Sequence, residues 1–477
     1  MKNFPIGSNV VHFVGIGGIG MSGIADILVN LGYKVSGSDL RENPLTARLS
    51  RKGVAVSIGH RAENVHGSTV VVSSSAIAAD NPEILEARRR KIPVVRRAEM
   101  LAELMKMKRS VAVAGTHGKT TTTSLIGALL EQANLDPTVV NGGVVNAYNS
   151  NARLGFGEWI VVEADESDGS FTKLASTVAV VTNINLDHIN NFKDFSELRG
   201  LFLQFVENIP FYGAAILCLD HPEVKKIADE LMDRRVIGYG LAPGADVCCE
   251  NIRLTDKFTE FDVVLAESIC EKYGIDAGRR WEKFQLSMFG IHNVQNALAA
   301  IAVGLELGIS EENMRAAFGS FMGVKRRFTK VADVNGVTIV DDYAHHPVEI
   351  SAVLNAARQL CRGKIYAVIQ PHRYTRLQNF LPDFATVLEL SDGVLVTAVY
   401  PAGEQCNGVD HLSLLNRLKE NAAVPSEFVA DVQKLREKIN GMAAAGDFVI
   451  FLGAGDITQW AYGLAEMLQT GADKCPS

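Results

Sequence analysis

The run VAVAGTHGKTTTT, from Val111 to Thr123, constrains this chain more than any other stretch. An apolar strand leads into a glycine-bounded turn, then a lysine and a row of hydroxyls at the start of a helix. Gly115 and Gly118 let the backbone turn its N–H groups toward phosphate oxygens, with Thr116 and His117 between them. Lys119 adds a point charge for terminal phosphates, and Thr120 or Thr121 offers a hydroxyl to magnesium. The spacing departs from the usual form, because Val113 stands where its first glycine would be, leaving the shorter GTHGKT. A plain glycine turn is the bland alternative, but the strand before it and the helical pattern after it favour a phosphate-binding loop in an α/β sheet.

At 477 residues the chain exceeds one ordinary core, so two to four domains are expected. Its 47% hydrophobic and 21% charged residues are those of a soluble globular protein. A net charge of -7 argues against wholesale nucleic-acid binding, which leaves Arg88 to Lys91 and Lys325 to Arg327 as local basic clusters. The opening MKNFPIGSNVVHF has no signal-peptide pattern, and no apolar run is long enough to span a bilayer. A cytoplasmic protein without a membrane partner is therefore expected. The 7 cysteines fit neither a disulfide framework nor zinc spacing.

Short apolar strands alternate with helical stretches in three successive units, the rhythm of parallel α/β sheets. The first has strands at Val10 to Val14, Lys34 to Ser38, Thr69 to Ser73 and Ile92 to Val95. The second opens at the phosphate loop and continues through Trp159 to Glu163, Val178 to Thr182 and Ala215 to Leu219. Antiparallel strands are expected from Asp246 to Leu286, then a helix from His292 to Leu307. The third has strands at Val337 to Asp341, Ile365 to Ile369, Gly393 to Thr397 and Phe448 to Leu452, with helices at Pro347 to Leu360 and near Leu377 to Leu390. Brief hinges near Lys106 and Gly323 divide the chain into residues 1–107, 108–323 and 324–477.

Gly15, Gly17, Gly18, Gly20 and Gly23 follow the first strand, and Asp39 closes the second, where a dinucleotide fold places its ribose-binding acid. Alone this suggests a nicotinamide enzyme, yet the pyrophosphate of any diphosphonucleoside would suit the same helix start. Two phosphate loops in one chain point to a diphosphonucleoside substrate used with ATP. EADESD, Glu163 to Asp168, sits at a strand's carboxyl end, where a carboxylate can hold magnesium; a solvated acidic loop is the alternative. TNINLDH brings Asn183, Asp187 and His188 to the same edge. In HNVQN, Asn293 and Asn296 share one helical face, suited to adenine or simply to polar surface.

Taken in order, GIGGIGMSGIA, SGSD, SSAI, AGTHGKTTTT, EADESD, GIHNVQNALAA, DDYAHHP, QPHRYTR and VYPAGE resemble the motifs of the Mur ligase family along nearly the whole chain. The resemblance implies an α/β protein of three domains: a Rossmann-like UDP-sugar domain, a central P-loop ATPase-like domain with a mostly parallel sheet plus a small antiparallel part, and a Rossmann-like carboxyl-terminal domain that binds an amino acid. It implies ATP-dependent amide formation in cell-wall precursor synthesis, with L-alanine joined to the lactyl carboxylate of UDP-N-acetylmuramate through an acyl phosphate. By matching motif, Lys119 neutralises phosphate charge, Thr120 and Glu163 bind one magnesium ion, and His188 binds a second. Asn293 and Asn296 meet adenine, Arg327 the γ-phosphate, and Asp342 the ribose. Gly17, Gly18, Gly20, Asp39 and Ser74 take the UDP-sugar, and Tyr343, His345, Arg373 and Arg376 surround the alanine. Such a protein is a monomer or homodimer. Two departures stand out: Ala344 replaces a frequent glycine, and no lysine occurs from Asp194 through Glu223 to serve as the carbamylated magnesium ligand of some relatives. A recycling ligase that attaches a preformed tripeptide, a nicotinamide oxidoreductase and a nucleotide sensor without catalysis are the competing readings.

Overall fold

A computed structural model describes residues 10–74, 76–167, 169–185, 194–255, 257–276, 278, 280–421 and 423–472. The first sheet holds β1 (Val10–Val14), β2 (Lys34–Asp39), β3 (Ala55–Ile58), β4 (Ser68–Ser73) and β5 (Val94–Arg96). It is parallel throughout, in the order β3-β2-β1-β4-β5. The strand order reverses between β1 and β4, so a crevice opens at their carboxyl ends. Gly15 and Ser74 follow those two strands.

The second sheet comprises β6 (Arg109–Ala114), β7 (Thr138–Val145), β8 (Ser150–Arg153), β9 (Trp159–Glu163), β10 (Val178–Val181), β11 (Ala214–Cys218), β12 (Val236–Tyr239), β13 (Val247–Leu254), β14 (Thr259–Leu265) and β15 (Arg280–Leu286). Its order is β15-β14-β13-β12-β11-β10-β6-β9-β7-β8. Strand β6 lies between β9 and β10, parallel to both, whereas β7 and β8 pair antiparallel. Val111, Val113, Val161 and Val180 are fully buried, as parallel strands covered on both faces require.

The third sheet runs β16-β17-β21-β18-β19-β20, built from β16 (Thr329–Val334), β17 (Val337–Asp342), β18 (Ile365–Ile369), β19 (Gly393–Val396), β20 (Ser426–Phe428) and β21 (Phe448–Leu452). It is parallel except for β16 against β17. It belongs to a separate compact unit, which takes in the chain from Gly323 onward, whereas the first two sheets fall in one unit. Those two sheets share a continuous apolar core that includes Phe13, Ile24 and Leu28 from one and Val140, Ala152 and Val162 from the other. A common core thus spans the join expected near Lys106. Among the described residues, no helix is long and apolar enough to cross a membrane.

Two local expectations change. The helix near Leu377 to Leu390 is two helices, Tyr374–Asn379 and Leu381–Leu388, broken at Phe380. Pro382 has no N–H to donate to the carbonyl four residues back, so it cannot continue the first helix but suits the first turn of the second. Between β14 and β15 the chain forms a helix, Glu267–Tyr273, ended by Gly274 at φ +66°; the alternating stretch is therefore not strand throughout.

Candidate active site

The helix after the phosphate loop, Lys119–Gln132, begins at Gly118 (φ +83°) with no side-chain cap. The helix after the first glycine loop, Ile19–Asn30, begins at Gly18, also without one. Asn43, Asp194, Ser310 and Asp431 cap other helix starts with their side chains. Uncapped starts leave N–H donors and the positive end of the helix dipole for an anion.

The phosphate loop is held from the neighbouring strand's end. Asn183 Oδ1 accepts the His117 N–H at 2.8 Å, Asn183 O accepts that of Thr116 at 2.9 Å, and Thr182 Oγ1 donates to His117 O at 2.6 Å. Gly115 has φ +133°, and a methyl there would run into Thr182 Oγ1. Thr120 and Thr121 are buried in the first helical turn. Across the loop, a methyl at Gly118 would stand 2.6 Å from Asn296 Oδ1. Asn296 also accepts from Thr122 Oγ1 at 3.1 Å and donates to Asn293 Oδ1 at 3.2 Å. Both asparagines are buried, and Asn296 lies against the loop, so neither side chain is given over to solvent.

Glu163 ends β9, and Val113 of β6 is its register partner. Its Oε2 accepts the Gly142 N–H at 2.7 Å. The Lys119 ammonium, however, is engaged by Glu166, at 3.0 Å from Oε1 and 2.8 Å from Oε2, and donates to Gly115 O and Thr116 O as well. Burial disfavours the charge on Lys119, but the fields of Glu166 and then Glu163 outweigh it and hold its pKa above the ordinary value. Burial pushes Glu166 up to about 7 against the pull of that ammonium. Asp165, next in sequence, takes Arg97 Nη2 at 2.9 Å. Asp168, Asp187 and His188 lie outside the described residues.

At the first loop, Asp39 Oδ2 accepts the Gly17 N–H at 2.8 Å, and Asn43 Nδ2 donates to Gly17 O at 3.3 Å. Asp39 thus shapes the loop itself. Ser74, half-buried, follows β4 at the same crevice. Gly20 lies in the first helical turn, with the Arg97 guanidinium against it.

In the other unit, β17 ends in Asp341 and Asp342. Asp342 is buried and accepts the N–H groups of Phe328 and Ala344, each at 2.7 Å. Burial raises its pKa to about 6, with Arg327 pulling the other way. The Arg327 guanidinium stands 5.5 Å from the centre of the Tyr343 ring, an attractive cation–π distance. Tyr343, His345, His372 and Tyr400 form a file of rings with successive separations of 5.2, 5.6 and 5.5 Å. Arg376 is buried beside His372, its Nη1 3.3 Å from Nδ1. Arg373, at φ +67°, is more exposed and 4.0 Å from Glu404. The expected amino-acid residues are thus neighbours within one unit.

Sequence reasoning missed Glu166, Arg97 and the anchoring role of Asn183. EADESD exposed the acids but not which of them faces Lys119. Arg97 sits in a helical stretch, RRAEMLAELM, with no motif of its own.

Family models account for most of the chain: "Mur ligase family, catalytic domain" matches residues 10–109, "Mur ligase middle domain" 113–304, and "Mur ligase, glutamate ligase domain" 326–455. The chain is 52% identical over 470 residues to the UDP-N-acetylmuramate--L-alanine ligase of Acidiphilium cryptum, covering 98% of this chain and 97% of that protein. It is 53% identical over 472 residues to that of Maricaulis maris, covering 98% of each. Among solved structures, the UDP-N-acetylmuramate-alanine ligase of Thermotoga maritima superposes with a TM-score of 0.82 at 29% identity, over 97% of this chain and all of that one (100%). A murein peptide ligase from Psychrobacter arcticus gives 0.69 at 23% identity, over 98% of this chain and 100% of that one, and shows the fold alone. With relatives this similar along nearly its whole length, the chain belongs to the Mur ligase family.

Proposed function

We propose that this protein joins L-alanine to UDP-N-acetylmuramate with hydrolysis of ATP to ADP and phosphate. The observation that carries this is the presence of two uncapped, glycine-led helix starts in one unit, one for each nucleotide, in a chain half identical to ligases named for that reaction. A carboxylate is a poor electrophile. Transfer of the γ-phosphoryl group to the lactyl carboxylate gives an acyl phosphate; the alanine amine then attacks its carbonyl carbon, the C–O bond to phosphate breaks, and the amine proton is lost to solvent or base.

Lys119 neutralises charge on the transferring group, exchanging Glu166 for phosphate oxygen. Asn293 and Asn296 bind adenine. In the other unit Arg327 serves the γ-phosphate, Asp342 the ribose, and Arg376 pairs with the alanine carboxylate, the task to which a planar guanidinium is suited. Tyr343 and His345 limit the amino-acid side chain, with Arg373 at the rim. Thr120 and Glu163 are hard oxygen donors at one sheet edge and fit magnesium, with His188 for a second ion. Bound magnesium would supply charge neutralisation at the phosphates. Residues 1–107, 108–323 and 324–477 serve the UDP-sugar, ATP and the amino acid in turn.

The test is phosphate release with ATP, magnesium, UDP-N-acetylmuramate and a panel of amino acids. Turnover is expected with L-alanine. Turnover with a preformed tripeptide but not with alanine would replace this reading with the recycling ligase, and no release with any acceptor would refute a ligase.

A further inference from the structure

In parallel sheets the carboxyl ends of all strands lie on one edge. Arg97 follows β5 directly, so it stands on the same edge as the first glycine loop after β1 and Ser74 after β4. Its side chain reaches along that edge: a methyl at Gly20 would lie 2.9 Å from Arg97 Nη1. The other end of the guanidinium reaches the carboxyl edge of the second sheet, where Nη2 meets Asp165 at 2.9 Å. The residue after Asp165 is Glu166, which holds Lys119 of the ATP loop. One guanidinium therefore lies against the first turn of the UDP-sugar helix and is tethered beside the ATP loop.

A strut between two sheets does not need to lie against an uncapped helix start. That start already carries positive potential, and a second positive group beside it is unfavourable unless an anion joins them. The Asp165 carboxylate meets only one face of the guanidinium fork, at a side chain 42% exposed to solvent.

Resting on the ligase reading above, we propose that Arg97 binds the diphosphate of the UDP-sugar, its guanidinium held ready at the glycine loop by Asp165. Nη1 beside Gly20 would donate to a phosphate oxygen that also takes the helix N–H groups, while Nη2 keeps Asp165. The substrate's charged centre is thereby fixed between the two loops, with the sugar and its lactyl carboxylate running on toward Lys119.

The test measures binding of UDP-N-acetylmuramate, UDP, UMP and ADP to the full chain and to Arg97→Ala, Arg97→Lys and Asp165→Asn by calorimetry, with thermal melts run alongside. Arg97→Ala is expected to weaken UDP-N-acetylmuramate about 10- to 100-fold, the range for a lost charge-assisted hydrogen bond, with ADP unchanged. Its preference for UDP over UMP should collapse. Arg97→Lys should recover part of that preference, and Asp165→Asn, which breaks the ion pair but keeps the guanidinium, should retain it. Equal affinity of Arg97→Ala and the parent for the UDP-sugar overturns the assignment. An unchanged UDP-to-UMP ratio, with both weakened alike in a folded variant, also overturns it, because Arg97 would then be only a strut. A parent protein that binds no UDP-sugar instead refutes the ligase reading itself.

Discussion

Half-buried Lys119 and buried Glu166 form an ion pair at the glycine loop. Removing one member of such a pair leaves a charge without compensation, at a cost of about 3–5 kcal/mol unless the survivor neutralises. Glu166, raised to about 7, neutralises readily. Lys119→Ala is therefore expected to fold and to retain UDP-N-acetylmuramate, while turnover falls on the order of 10³-fold or more. Steady-state rates and a UDP-sugar titration check both halves; turnover near that of the parent would remove Lys119 from the chemistry. Glu166 also ties stability to pH. Burial holds its pKa at about 7, above the ordinary glutamate value of 4.5, so between those values the native state keeps a proton that the unfolded chain has lost. Its contribution is present in full below 4.5 and is lost as pH rises through 7. Denaturant midpoints at several pH values should show a shallower decline for Glu166→Gln than for the parent, and identical slopes would contradict the assignment.

At the scale of elements, the helix Ile19–Asn30 carries the first glycine loop and also packs on β7 and β8. Gly23 permits that approach: an added methyl would lie 2.8 Å from Asn151 Nδ2 and 3.2 Å from Ala152 Cβ. Asn151 Nδ2 in turn donates to Ile19 O at 2.5 Å, and Arg48 reaches Ser150 Oγ at 2.6 Å. Gly23→Leu should force these elements apart and cost about 1–3 kcal/mol, the usual range for overpacking. Chemical denaturation measures it, and a variant as stable as the parent would show that the seam yields freely.

For the molecule as a whole, the shared core makes the first two sheets interdependent. A fragment of residues 1–107 would expose the apolar face that Ile24 and Leu28 bury in that core. It is expected to show no cooperative thermal transition, whereas residues 1–322 should melt in one step. Calorimetry of the two fragments distinguishes the cases, and a cooperative melt of the shorter one at the temperature of the longer would mean that the seam contributes little.

The parallel α/β architecture was legible in the alternation of apolar strands and helical stretches, and both strand-to-helix glycine loops were legible in their glycines. Strand and helix periodicity, turn chemistry and a loop's φ requirements are written over short stretches of adjacent residues, so a linear reading recovers them. The order of motifs along the chain carried the family. What partners a side chain was not legible. Lys119 pairs with Glu166 across 47 residues and Arg97 with Asp165 across 68, and both depend on which strands become neighbours. Nor did EADESD reveal that Glu166 is buried while Glu163 reaches back to Gly142. Asp39 and Asp342 stood out as ligand acids, yet Asp39 accepts the Gly17 N–H of the first glycine loop and Asp342 accepts those of Phe328 and Ala344. The acids and cations were set by local sequence; their pairing was decided by tertiary packing, because a carboxylate's partner depends on distance and burial in three dimensions.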